Sequence, residues 1–210
     1  MIRKKSIMTM QGGFWKMNEE INYDGSNQDL QVNVVSDELK GKSIGLCVTG
    51  GIAAIKTPEI ARQLRRYGAE VRAYATDNAF KFIGEAALEW ATEKPVVNKL
   101  SGLAEHICLE DLVLVAPATL NTINKIMSGI ADNQVTSLVA SALGSNVPVY
   151  LAPTMHGSLY NNPFFQENLQ KAEKYGIKII KPRFGENKAK IPSTRKIAST
   201  IINHYKQEAK

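Results

Sequence analysis

The chain has 210 residues, of which 44% are hydrophobic, so it can bury one core of ordinary domain size but hardly two. Lys and Arg total 26 against 20 Asp and Glu, and this net charge of +6 would suit an anionic ligand or a nucleic acid. Much of the excess lies in residues 1–5 and 181–196, where aromatic residues do not alternate with the cations in a way that suggests base stacking. We therefore expect solvated surfaces there and no nucleic-acid partner.

The two cysteines, Cys47 and Cys108, each lie in an apolar stretch and lack a partner at metal-ligand spacing. This pattern favours reduced core thiols, no metal site and a cytoplasmic protein. No apolar run approaches the ~18 residues that a membrane span needs. Residues 8–23 are also too polar for the apolar part of a signal peptide, so no membrane association is expected.

The first part of the chain, residues 1–38, shows neither helical periodicity nor sustained alternation, and glycine and asparagine clusters interrupt it. We interpret it as a loosely ordered extension of a domain that covers residues 39–210. One short strand is predicted at residues 30–35, where apolar and polar residues alternate.

From Lys42 onward, short apolar strands alternate with helical segments. Strands are predicted at residues 43–49, 70–75, 112–116, 148–152 and 177–180. Helices are predicted at residues 54–67, 121–127, 134–143, 163–175 and 194–207. Strands that are apolar along their whole length are typical of a parallel sheet covered on both sides. The element order predicts a single doubly wound, Rossmann-like α/β domain with a parallel sheet and helices on both faces.

The turn after the first strand of this domain contains two adjacent glycines, Gly50 and Gly51. Glycines let backbone N–H groups approach an anion, and the helix that follows adds partial positive charge. The turn matches neither the GxGxxG fingerprint nor a Walker A loop, which argues against NAD and ATP. Glycine is also common in purely structural turns, so a ligand is favoured mainly by the position at the carboxyl end of a parallel strand. Thr76, after the second strand, is either a simple helix cap or a further phosphate contact.

The third strand opens into small, hydrogen-bonding residues that can lie against a flat ring. The run reads Ala116-Pro117-Ala118-Thr119-Leu120-Asn121-Thr122, then Lys125, then Gly129-Ile130-Ala131-Asp132-Asn133. With the Thr49 to Lys56 turn and Pro153-Thr154-Met155, it resembles the signature of the homo-oligomeric flavin-containing cysteine decarboxylases. That family includes phosphopantothenoylcysteine decarboxylases and the peptidyl-cysteine decarboxylases of lantibiotic maturation. The resemblance covers residues 42–205.

The resemblance implies FMN as the cofactor, bound at a contact between subunits of a homotrimer or a multiple of three. It implies that the phosphate is held by Gly50, Gly51 and Thr76, with Ala53 in the same turn. It further implies that the flavin ring is lined by Ala116, Pro117, Ala118, Thr119, Asn121 and Thr122, with Asn133 nearby. Backbone amides and small hydroxyls can bond the ring's edge without blocking its faces.

Two histidines are candidate catalytic residues. His106 stands in a His-Ile-x-Leu setting similar to that of the family's catalytic histidine, although a lone histidine is more often an ordinary surface group. An imidazole ordinarily titrates near pH ~6.5, a range that suits the movement of substrate protons. His156 replaces the asparagine with which the family holds its substrate, but an imidazole can still donate a hydrogen bond. We therefore predict that Met155 and His156 contact an acidic, small-molecule substrate.

A second departure from the family lies at residues 182–192. The phosphopantothenoylcysteine decarboxylases have a flexible flap with a cysteine here, whereas this segment has none. If that thiol supplies the proton when electrons return to the product, this chain should not complete the same redox-neutral cycle. The basic segment could still form a lid over an anionic substrate, although a solvated loop is the simpler interpretation.

The resemblance favours an FMN enzyme, a decarboxylase-like lyase similar to those of coenzyme A biosynthesis, that acts on a small acidic or thiol-bearing substrate. In such enzymes, oxidation of the thiol-bearing carbon creates an electron sink beta to the carboxylate, and carbon dioxide is then lost. An FMN-dependent reductase or a prenyltransferase-like relative is the first alternative. The second is a non-catalytic regulatory flavoprotein, which the missing asparagine and cysteine favour and the presence of His106 opposes.

Overall fold

The computed structural model describes residues 3–11, 14–23 and 30–208, and it describes side chains in the last of these ranges. The chain divides into two compact units, Met1–Gln31 and Val32–Lys210. In the first unit, β1 (Arg3–Gln11) and β2 (Phe14–Tyr23) pair antiparallel. Two strands therefore lie in the part of the extension before residue 30, where the sequence analysis predicted no strand.

The short strand predicted at residues 30–35 is wrong, because residues 31–37 have no regular secondary structure. The backbone N–H of Val35 donates to the carbonyl of Arg66 (2.7 Å) instead of to a neighbouring strand. Val34 and Val35 are exposed, so their alternation with polar residues does not reflect a buried face. The domain boundary at residue 38 stays a prediction.

The second unit is built on a five-stranded parallel sheet. Its strands are β3 (Ser43–Val48), β4 (Glu70–Ala75), β5 (Leu112–Ala118), β6 (Val149–Pro153) and β8 (Lys178–Ile179). Their order in the sheet is β4-β3-β5-β6-β8. The chain runs outward from β3 to β4 and then crosses back to β5 on the other side of β3. The strand order therefore reverses between β3 and β5, which is where open α/β sheets bind their ligands.

Helices cover both faces of this sheet, so the predicted doubly wound fold is confirmed. The helices are α1 (Thr57–Arg65), α2 (Glu85–Thr92), α3 (Leu120–Met127), α4 (Gln134–Gly144), α5 (Gly157–Tyr160), α6 (Pro163–Lys174) and α7 (Thr194–Glu208). Along β5, Leu112 and Leu114 pack with α1 and α7, whereas Val113 and Val115 pack with α3, α4 and α6. This alternation explains why the strand is apolar along its whole length.

The two cysteines are buried, as expected for core thiols. Burial raises the pKa of the Cys47 thiol well above its ordinary value and that of Cys108 to about 11, so neither thiol is activated as a nucleophile. None of the helices in the described part of the chain combines the length and the apolar character that a bilayer-spanning helix needs.

The sequence analysis missed several short elements. A 3₁₀ helix, Ile52–Lys56, forms the first part of the helix predicted at residues 54–67, and α2 and α5 were not predicted. A second, smaller sheet joins β7 (Met155–His156), β10 (Lys188–Lys190) and β9 (Arg183–Gly185), in that order. The segment that seemed most simply a solvated loop is therefore an antiparallel hairpin that pairs with β7.

Candidate functional site

A cavity of about 1180 Å³ lies at the carboxyl ends of the central strands. It is lined by most of the residues predicted to hold the cofactor, namely Gly50, Gly51, Ala53, Thr76, Pro117, Thr119, Asn121, Thr122 and Asn133. Ala116 and Ala118, from the same prediction, are instead fully buried inside β5 and do not line the cavity. Segments far apart in sequence thus converge at one place.

Gly50 is required because two turns approach each other too closely for a side chain. A Cβ atom on Gly50 would lie 2.4 Å from Cβ of Asn78 and 2.9 Å from the Asn78 carbonyl carbon and oxygen. A Cβ on the adjacent Gly51 would meet only Cγ2 of Thr119, at an ordinary 3.6 Å. The two glycines therefore differ in function, since Gly50 lets the turns after β3 and β4 pack together.

Thr49 joins the turn after β3 to the turn after β5. Its buried hydroxyl donates to the carbonyl of Pro117 (2.7 Å) and accepts from the backbone N–H of Thr119 (3.2 Å). The hydroxyl of Thr119 in turn donates to that of Thr122 (3.2 Å). This network fixes the floor of the cavity at the point where the strand order reverses. The peptide bond between Ala116 and Pro117 is cis.

Asn133 lines the cavity but also caps α4. Its side-chain oxygen accepts from the backbone N–H groups of Val135 and Thr136, and its amide nitrogen donates to Asp132 (2.8 Å). The next residue, Gln134, was missed by the sequence analysis. Its buried side chain donates to the carbonyls of Ala75 and Asn98, which ties α4 to the end of β4. A polar residue at the start of a helix gave no signal beyond capping.

Met155 and His156 also line the cavity, as predicted for substrate contacts. Nδ1 of His156 accepts from the backbone N–H of Ser158 (3.3 Å) and lies 2.9 Å from the Ser158 hydroxyl. The imidazole is thereby held at the start of α5 by one nitrogen, which leaves Nε2 for another partner.

His106 does not join these residues in the single chain. It lies in an exposed turn before β5 and does not line the cavity. Around it, Leu103 and Leu109 are 87% and 82% exposed, and Ile107 and Leu100 are also exposed. The end of this segment is anchored, because buried Glu110 accepts from the Leu109 backbone N–H (3.1 Å).

The cavity carries more cations than carboxylates. Its lining cations are Lys56, Lys99, Lys125, Arg183, Lys188 and Lys190, and its carboxylates are Asp77, Asp132 and Glu186. Lys125 pairs with Asp132, and Lys190 pairs with Glu186 at 2.7 Å. Hydrogen bonding to Lys125 holds the pKa of Asp132 below its usual range, and Lys190 does the same for Glu186. The remaining charge suits an anionic ligand.

Fold and site together define a doubly wound α/β protein with a ligand cavity at its strand-order reversal. The chain belongs to the Flavoprotein family, whose model matches residues 32–206. A coenzyme A biosynthesis bifunctional protein CoaBC of Thermococcus kodakarensis is 44% identical over 174 residues, which cover 80% of this chain. The chain spans only 43% of that relative's length.

A probable phosphopantothenoylcysteine decarboxylase of Streptococcus mutans is 38% identical over 150 residues, which cover 68% of this chain and 83% of the relative. Among solved structures, the FMN-dependent cysteine decarboxylase SpaF is 26% identical and covers 78% of this chain and 97% of its own, with a TM-score of 0.68. A phosphopantothenoylcysteine decarboxylase mutant has a TM-score of 0.67 at 24% identity, covering 79% of this chain and 98% of its own, and supports the fold.

Proposed function

We propose that the protein binds FMN and decarboxylates a small, cysteine-containing substrate. The observation that carries this proposal is the convergence of the Gly50 turn, the Thr49–Thr119 network and Asn121 around one cavity, in a chain of the Flavoprotein family. Relatives that match this chain over most of its length are named as phosphopantothenoylcysteine decarboxylase or as coenzyme A biosynthesis proteins. When bound, FMN supplies the two-electron oxidation that such a decarboxylation needs.

The residues of the cavity fit this cofactor. Gly50, Gly51 and Ile52, which lead into the 3₁₀ helix, line the cavity, where backbone N–H groups can bind a phosphate. Pro117, Thr119 and Asn121 present small or hydrogen-bonding groups to a flat ring. Purified protein should therefore be yellow and release a chromophore with the mass of FMN. Colourless protein that takes up no added FMN would refute the assignment.

We propose further that the working unit is a homotrimer in which His106 serves the cavity of a neighbouring subunit. In the single chain His106 lies outside the cavity, and exposed apolar residues such as Leu103 and Leu109 flank it. Contiguous exposed apolar residues mark interaction surfaces. When identical subunits contact each other through two unlike surfaces, assembly stops at a fixed size only if the subunits close into a ring, as they do in a trimer.

Subunit mixing tests this arrangement. His106→Asn and Asn121→Asp, which changes a residue at the start of α3 that is proposed to line the flavin ring, should each reduce activity when present in every subunit. If His106 acts across the contact, mixed oligomers of the two variants should regain activity, because some sites then receive both native residues. Light scattering should give a trimer or a multiple of three, and a monomer that keeps FMN and activity would contradict the proposal.

The cytoplasmic location stays a prediction.

The absence of a cysteine from residues 182–192 affects which product we expect. In the described structure the β9–β10 hairpin has Lys188 and Lys190 at the cavity but no thiol. We expect one carbon dioxide per FMN, an oxidised product and no further turnover unless an electron acceptor is added. Many turnovers to a reduced thiol product without acceptor would show that another group returns the proton. A regulatory flavoprotein without catalysis would release no carbon dioxide at all, and a reductase would require a nicotinamide donor.

A further inference from the structure

Two side chains that can carry positive charge face each other on neighbouring strands at the cavity. Lys188 of β10 and His156 of β7 are direct partners in the antiparallel register. Residues opposite each other in such a pair share one face, with Cβ atoms about 4.5 to 5.5 Å apart. Both residues line the cavity.

The hydrogen bond between Ser158 and His156 determines which nitrogen of the imidazole carries its hydrogen. A backbone N–H can only donate, so Nδ1, which accepts from Ser158, carries no hydrogen in the neutral ring. The ring hydrogen is therefore on Nε2, from which His156 can donate to an anion.

The ammonium group of Lys188 is not paired with a carboxylate of the described residues, whereas those of two other lysines of the cavity are. Lys190, two residues along β10, is paired with Glu186, and Lys125 is paired with Asp132. Within residues 30–208, no ion pair involves Lys188. The charge of Lys188 helps to lower the pKa of Glu186, but the hydrogen bond to that carboxylate comes from Lys190. The N–H donors of Lys188 are therefore available to a ligand.

The turn of the hairpin keeps Lys188 in this position. Glu186 and Asn187 both have φ of +54°, which is typical of the tight two-residue turn between antiparallel strands. The backbone N–H of Gly157 donates to the Asn187 carbonyl (2.8 Å). A Cβ on Gly157 would lie 2.5 Å from Oδ1 of Asn187 and 2.9 Å from its carbonyl oxygen, so only glycine permits this contact.

From this geometry we propose that Lys188 and Nε2 of His156 form a two-point site for an anionic group, a carboxylate or a phosphate, of the molecule that occupies the cavity. The identity of that molecule as a cysteine-derived substrate rests on the proposed function. The site itself rests on the strand register, the fixed tautomer and the unpaired ammonium. It makes Lys188 a specificity-determining residue on a hairpin that seemed to be an ordinary loop.

The test measures binding by calorimetry to the full chain loaded with FMN that has first been reduced, so that the first of three probes is not oxidised during the titration. These are 4′-phosphopantothenoylcysteine, pantothenoylcysteine, which lacks the phosphate, and 4′-phosphopantetheine, which lacks the carboxylate. Lys188→Met should weaken binding of the first probe and of one single-anion probe about tenfold or more, because a charge-assisted hydrogen bond is lost. The affected single-anion probe identifies the group, carboxylate or phosphate. Lys188→Arg should retain most of the affinity.

The matched control is Lys181→Met, which removes the same charge from an exposed position outside the cavity. Lys188 is exposed as well, so the two variants differ only in whether the lost charge lines the cavity. Lys181→Met should therefore change all three affinities by less than about twofold. Equal effects of the two variants, an equal loss for both single-anion probes, or wild-type protein that binds none of the probes would each overturn the inference. Failure of the proposed function has a different signature, namely wild-type protein that binds a probe but, with oxidised FMN, releases no carbon dioxide from 4′-phosphopantothenoylcysteine.

Discussion

Gly50→Ala tests whether the close approach of the two turns builds the cofactor site. The new methyl carbon would lie 2.4 Å from Cβ of Asn78, whereas ordinary contacts begin near 3.4 Å. The turns after β3 and β4 must therefore separate by about 1 Å, and overpacking of this kind typically costs about 1 to 3 kcal/mol. Gly50 does not have the positive φ that disfavours side chains, so the cost arises from space alone.

The same displacement should weaken FMN binding about tenfold or more, because hydrogen bonds from the turn to a charged phosphate depend on its position. Thermal unfolding of the apoprotein and fluorescence titration with FMN measure the two effects separately. Gly51→Ala is the control for unfolding, since its methyl group would lie 3.6 Å from Cγ2 of Thr119, and we expect little loss of stability. Asn78→Gly should partly rescue Gly50→Ala. Wild-type stability and FMN affinity in Gly50→Ala would refute the reasoning.

Three further outcomes are expected. Burial lowers the pKa of His204 below its usual 6.5, and the nearby charge of Lys178 lowers it further. As the pH falls, the imidazole is therefore protonated in the unfolded state before it is protonated in the folded state, so the free energy of unfolding should fall below about pH 6.5. Urea titrations at several pH values measure this dependence, and His204→Phe should flatten it. Glu110→Ala should lower the free energy of unfolding by about 2 to 4 kcal/mol, because the buried Tyr74 hydroxyl, which donates to Oε1 of Glu110 at 2.6 Å, loses its acceptor. The control Glu89→Ala, at an exposed position, should have little effect. His106→Asn should leave the FMN spectrum and melting temperature unchanged but slow the release of carbon dioxide about 10²- to 10⁴-fold, and an altered spectrum would count against a role on substrate.

Much of the fold was predictable because its signals are local. The apolar strands at residues 43–49 and 112–116 and the helices between them follow from composition and periodicity, and their alternation implies parallel pairing. The turn at Gly50 was predictable for the same reason. The strand predicted at residues 30–35 failed because alternation alone does not show that one face is buried. Helix α2 went unpredicted, although Leu88 and Ala91 make a clear buried face once the helix is formed.

The sequence alone determined the doubly wound sheet, the position of a ligand turn at Gly50 and the polar run after β5, since each depends on neighbouring residues. Only the tertiary structure decided that Gly50 packs on Asn78, that Thr49 bonds Thr119, and that Lys188 lies opposite His156. These contacts join segments separated by tens of residues, and their distances depend on strand register and on how closely turns pack. No local pattern encodes such a register, because it is fixed by the burial of all the elements at once.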